Sequence, residues 1–146
     1  MAALSDYLEN KIIDYILRGQ AFTAPATVYV GLLTAAPSDT GGGTEVSGNA
    51  YARVAVSSSL ANWAGTQAAA STVASSGSSG TTSNNAAITF PTPTPSGWGT
   101  VTHMAVYDAA SAGNLLFYAP LTASKVINAG DSVSFAPASL TLQIDN

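Results

Sequence analysis

The chain has 146 residues and a formal net charge of -4, with four Lys or Arg and eight Asp or Glu side chains making up only 8% of it, where an ordinary soluble domain carries about 25%. With a single His and no Cys, it lacks the clustered titratable groups from which acid–base, nucleophile and metal sites are built, and neither disulfides nor thiolate-bound zinc hold it together. Its four cations, Lys11, Arg18, Arg53 and Lys125, are scattered along the sequence, which argues against nucleic-acid binding.

The N-terminal stretch MAALSDYLENKIID reaches acids before any long apolar run, unlike a secretory signal. No segment approaches the roughly 18 apolar residues of a membrane helix, so a cytoplasmically made protein with no membrane partner is expected. Residues 5–18, closed by Gly19 to give an element over 5–19, predict the one amphipathic helix. Asp6 stands three before Glu9 as a capping-box variant, and Leu4, Leu8, Ile12, Tyr15 and Ile16 share a face. Asp14 and Arg18 form an i,i+4 pair. Such a helix has to dock, either over one end of its own domain or on a neighbouring subunit.

The β-branched run Thr27 to Thr34 predicts a strand with Val28, Val30 and Leu32 on one face, and Gly31 within it suggests the close approach of another backbone. After the long turn PSDTGGGTEVSG, the run YARVAVSSSL resumes as a strand, with Ala52, Val54 and Val56 inward and Tyr51 and Arg53 outward. Residues 64–85 are uncharged and rich in Ser, Ala, Gly and Thr, a composition that reads as a surface loop or as an arm ordered against a neighbour. From Asn85 onward short strands recur at turn-bounded intervals. Val101, His103, Ala105 and Tyr107 alternate there with Thr102, Met104, Val106 and Asp108. Pro120 and Pro137 place their strands at an edge, a bend or a break. The pattern predicts an all-β, single-domain antiparallel β-sandwich over 1–146, jelly-roll-like, with one N-terminal amphipathic helix.

Candidate chemistry is thin. His103 is the one side chain that ordinarily titrates near neutrality, with Asp108, Ser96 or a Thr as conceivable partners. His103 and Asp108 have opposite strand parity, so they project to opposite faces. Gly41, Gly42 and Gly43 lack the Lys and the helix start of a phosphate loop, which leaves them as a turn. Asp39 and Glu45 flank that turn, yet two carboxylates are few for a Ca²⁺ ion that takes six to eight oxygens. No catalytic residue, cofactor or metal is therefore expected. Aromatics are expected in core or seam packing, with Trp98 plugging one end of the sandwich and Trp63 at a contact. Possible subunit contacts are Tyr51, Arg53, Trp63 and Trp98.

Three stretches carry a family likeness. LSDYLENKIIDYILRGQAFTAPATVYVGLLTAAP, TEVSGNAYARVAV and ITFPTPTPSGWGTVTHMAVYDAASAGNLLFYAPLTASKVINAGDSVSF resemble small tailed-bacteriophage virion proteins usually labelled tail-fibre proteins, over nearly the whole chain except residues 64–85. The resemblance implies a non-enzymatic structural protein of the virion. Since the sequence has no heptad, repeat or shaft, the expected role is a capsid decoration or cement protein, a homotrimer bracing the major capsid protein. The alternative is a tail-fibre or tail-tip component whose loops at 36–49, 64–85 or 91–99 touch the host. A carbohydrate-binding or hydrolytic domain is the third reading.

Overall fold

A computed structural model describes residues 3–144; residues 1, 2, 145 and 146 of the expected domain lie outside it. The chain begins with β1 (Ala3–Leu4), which pairs antiparallel with Phe117 and Tyr118, and turns at once into α1 (Asp6–Leu17). The N-cap is Ser5 and not Asp6: the Ser5 hydroxyl accepts from Leu8 N–H at 3.3 Å and donates to the Leu115 carbonyl. One buried hydroxyl thus satisfies a helix-end donor and ties the helix to the sheet, a double use that sequence spacing alone does not show. The Asp6 N–H donates to Asp39 O at 2.9 Å, fixing the helix start to the glycine turn as well. At the far end Gly19, at φ +65, lets Gln20 N–H reach back to Asp14 O, and Arg18 pairs with Asp14 at 3.2 Å as expected.

The helix is therefore fixed at its root. Within α1 only Leu8 is buried, while Ile13, Tyr15, Ile16 and Leu17 are 50%, 59%, 68% and 77% exposed. Its own domain leaves much of the apolar surface of the second half uncovered.

The main sheet runs in the order β1, β8 (Leu115–Ile127), β7 (Gly99–Tyr107), β2 (Thr27–Ala35) and β3 (Thr44–Glu45), with β4 (Val54–Ser57) also on β2. At its centre lie β2, β7 and β8, all antiparallel neighbours. The outer edge of β2 is shared between β4, opposite its first half, and β3, opposite its second. As predicted, Val28, Val30 and Leu32 face one core. Leu33 and Tyr29, on the opposite face, join a smaller cluster with Ala105, Tyr107 and Leu115.

Across the main sheet lie two ribbons, β5 (Thr81–Ser83) with β10 (Thr141–Gln143) and β6 (Ile88–Thr89) with β9 (Ser134–Phe135). Ile88, Phe90, Leu140 and Leu142 from this layer meet Val30, Leu32, Met104 and Val106 from the sheet, which completes a β-sandwich. Each such side chain contributes about 1.5–3 kcal/mol by leaving water. Asn84, 1% exposed, locks this layer: its amide donates to Ala86 O and Ala136 O, both at 2.8 Å, and its oxygen accepts from Leu140 N–H at 2.9 Å. Pro137 falls between β9 and β10, one of the expected breaks.

Strict alternation fails in β7. A register shift between Val101 and His103 sets the single residue Thr102 against residues 121–124 of β8. Val101 consequently joins Met104 and Val106 in the main core instead of following Ala105 and Tyr107, because an irregularity in the ladder resets which face a side chain occupies. Pro120 sits at this irregularity, opposite His103 and beyond the end of β1, where no outer ladder needs its missing N–H. Ala52 is likewise exposed rather than inward, and Tyr51 packs on the core.

Residues 64–80 form no regular element, yet they are closely tied to one another. Gln67 donates to Ser71 Oγ at 2.8 Å and Ala74 O at 3.2 Å and accepts from Ser76 N–H at 3.3 Å, while Thr66 Oγ1 accepts from Gly77 N–H at 3.0 Å. The last part of the expected loop becomes β5, and Ala64 N–H bonds Ser83 O at 2.8 Å to close its base.

Candidate functional site

The motif E-V-x-G-x-x-Y-x-R builds a polar node behind the main sheet. Glu45 ends β3, Gly48 turns the chain at φ +70, and Tyr51 and Arg53 lead into β4. Arg53 clasps Glu45 in both directions, Nε to Oε1 at 2.8 Å and Nη2 to Oε2 at 2.7 Å. Its remaining nitrogen donates to Ala109 O and Ala112 O, both at 2.8 Å, and the guanidinium lies 3.4 Å from the centre of the Tyr107 ring. One planar cation thereby joins β3, the start of β4 and the turn between β7 and β8, a fork geometry that Lys does not reproduce.

Tyr51 extends the node into the core. Its hydroxyl donates to Glu45 Oε1 at 2.9 Å and accepts from Leu32 N–H at 2.8 Å, and its ring meets Trp98 edge-on at 5.3 Å. Trp98 Nε1 donates to Asn49 O at 3.0 Å, and Asn49 Nδ2 donates to Gly97 O at 3.1 Å. Gly31 is required because a Cβ there would stand 2.9 Å from Glu45 Oε1, 3.0 Å from the Tyr51 hydroxyl and 3.2 Å from Tyr107. The close approach predicted at Gly31 is real, but side chains make it and not a second backbone.

The electrostatics suit a permanent fastening. Burial pushes the Tyr51 hydroxyl well above its ordinary range, with the Glu45 charge adding to it and the Leu32 hydrogen bond opposing it. Burial, then the Glu45 charge, also raise Tyr107. For Arg53 burial works against the charge, but the hydrogen bonds and charge of Glu45 outweigh it and hold the guanidinium above its usual value. The phenols stay neutral and Arg53 stays charged through the physiological range, and the Glu45 carboxylate is taken up by the hydrogen bonds of Tyr51 and Arg53.

The other candidates are dispersed. His103 Nδ1 is 2.9 Å from Thr102 Oγ1, a local strand contact, whereas the Asp108 carboxylate accepts from Asn114 N–H and Asn114 Nδ2, both at 2.7 Å. Ser96 is exposed in the proline-rich connection. Gly41, Gly42 and Gly43 all have positive φ and make a turn. Asp39 accepts from the Tyr118 hydroxyl, and Glu45 is committed to Tyr51 and Arg53, so these two carboxylates serve separate fastenings. Among the described residues no three His, Cys, Asp or Glu side chains cluster as metal ligands.

Of the four expected contact residues, the structure brings together Tyr51, Arg53 and Trp98, and places Trp63 elsewhere. Trp63 is half-buried at the edge of the core, bridged to Asn84, and forms one wall of an open shelf of about 410 Å³ with Ser58, Leu60, Ala64, Gly65 and Ser75. Leu60 and, in the adjoining loop, Val73 are 54% and 61% exposed. Sequence reasoning flagged Trp63 by its place beside the low-complexity tract; it gave no signal for Glu45 as the partner of Arg53.

An antiparallel β-sandwich with an N-terminal helix, whose buried ion pair serves as an internal fastening, defines a scaffold that presents surfaces. Comparison with known families makes the class specific. Residues 3–143 match the family described as podophage GP4 fiber I protein gp80, and the chain belongs to that family. No curated protein matches the chain.

Proposed function

We propose that this protein is a non-enzymatic component of a phage tail fibre, and that the face around residues 58–80 meets the host surface. Membership of a podophage fibre family across residues 3–143 carries the reading. The lack of a shaft, which pointed toward a capsid decoration protein, describes one chain and weighs less than that match. Of the three loops expected to reach outward, 36–49 is bound by Glu45 and Asp39, and 91–99 is bound through Trp98. Residues 64–80 bond largely to one another and leave Val73 and the Trp63 shelf open. An uncharged hydroxyl-rich face also desolvates at lower cost than a charged one.

Quantitative mass spectrometry of purified particles, with antibody labelling by electron microscopy, tests the reading. A low copy number and label at the tail are expected. Hundreds of copies distributed over the shell would restore the cement role and overturn this one. As a second check, Val73→Asp, at a position 61% exposed, should weaken adsorption to host cells while leaving melting of the purified protein nearly unchanged.

A further inference from the structure

We infer that the exposed half of α1 seats in a groove beside β8 of a second copy of this chain. Two unmet apolar surfaces motivate it. The first is the helix tip, where Ile13, Tyr15, Ile16 and Leu17 supply four of the eight large hydrophobic side chains most exposed among the described residues. Such concentration marks an interaction surface, whereas scattered exposure does not.

The second surface follows from the irregular pairing of β7 with β8. Where Thr102 faces residues 121–124, β8 stands away from its neighbour. Beneath it lies a mostly apolar groove of about 390 Å³, floored by Leu32 and Val101 and walled by Leu121, Ile127, Val133 and Phe135. A hollow of about 320 Å³ adjoins it, sharing Leu121, Thr122 and Phe135. Aliphatic side chains at i, i+3 and i+4, here Ile13, Ile16 and Leu17, are the pattern by which a helix fills such a groove.

Charge favours the same match. The last turn of α1 has no basic residue of its own, and the Arg18 guanidinium is held by Asp14. Lys125 lines the groove and forms no ion pair among the described residues. A cation there meets the carbonyl end of an incoming helix, where the dipole favours it.

Placement makes the contact one between copies. The root of α1 is fixed near Leu115 and Leu116, at the start of β8, while the groove lies along residues 121–127 of the same strand. The root of the helix and the groove thus sit at different ends of one strand, on the order of 20 Å apart at the usual rise per residue, and Ile13, Ile16 and Leu17 stay exposed instead of filling the groove of their own chain. A contact of unlike surfaces is heterologous, and it closes into a ring where the rotation allows.

Analytical ultracentrifugation of the full chain at high micromolar concentration tests this. Wild type should sediment above its 14.6 kDa monomer mass. Ile16→Glu/Leu17→Glu, which spoils the knob, and Ala123→Trp, which fills the groove from an exposed position, should each be monomeric and melt as wild type does when diluted to its monomer. Lys125→Glu should weaken association without altering the fold. Mixed in equal amounts, the knob and groove variants should form a dimer that neither forms alone, because one retains the groove and the other the helix. A monomeric wild type, association that survives Ala123→Trp, or a mixture that stays monomeric would each overturn the inference. None of these readouts depends on where the protein sits in the particle.

Discussion

The node around Arg53 and the loop over residues 64–80 are made by the same charge-poor chain, yet they are held in opposite ways. In the node, one ion pair, two carbonyls and a stacked ring converge on a guanidinium whose side chain is 6% exposed. In the loop, Thr66, Gln67, Ser71, Ser75 and Ser79 exchange hydrogen bonds at exposed positions, where water competes for every one. The one ion pair with a buried guanidinium among the described residues joins sheet, strand and turn, whereas the loop is tied by hydroxyls and amides alone. Rigidity and presentation are divided between two regions.

Breaking the node should have the largest effect. Arg53→Ala strands the Glu45 carboxylate and two turn carbonyls, so unfolding stability should fall by about 3–5 kcal/mol. Urea denaturation measures this, and a loss below about 1 kcal/mol would place the pair among ordinary surface bridges.

A smaller effect is expected at the tie between Tyr118 and Asp39. Donation to Asp39, aided by partial burial and by the charges of Asp39, Asp6 and Glu9, pushes the Tyr118 hydroxyl from 10.0 up to about 12. The folded state favours the protonated phenol, so the stabilisation is complete below the ordinary tyrosine pKa of about 10 and disappears as pH rises through the folded value. Melting temperature should fall across that interval, and Tyr118→Phe should flatten the fall. An identical slope in the variant would remove the tie from the account.

The smallest effect belongs to the loop. Gln67→Ala deletes three exposed hydrogen bonds but should alter global stability by less than about 0.5 kcal/mol. Hydrogen exchange over residues 66–79 should nevertheless accelerate, because opening there is local. If the whole domain loses stability instead, the division between anchored node and self-tied loop is wrong.

Much of the fold was legible because period and composition act locally. Alternation marked β2 and the strands after Asn85, and the spacing of Leu8 and Ile12 with Gly19 as terminator marked α1. The site was legible only in fragments: Tyr51, Arg53 and Trp98 stood out singly, but their convergence on Glu45 and Asn49 depends on pairing across the sheet. The cap role of Ser5 is local, three residues from Leu8, but its second role is not, because the Leu115 carbonyl its hydroxyl also serves is 110 positions away.

The sequence by itself determined a charge-poor antiparallel β-protein with one amphipathic helix, since side-chain chemistry and a period of two or 3.6 are written in neighbouring residues. Tertiary structure alone decided which face Val101 joins, what crowds Gly31, and that the apolar tip of α1 is left uncovered. Each of those outcomes depends on contacts between segments distant in sequence, and a register shift in one ladder changes them without changing any local pattern.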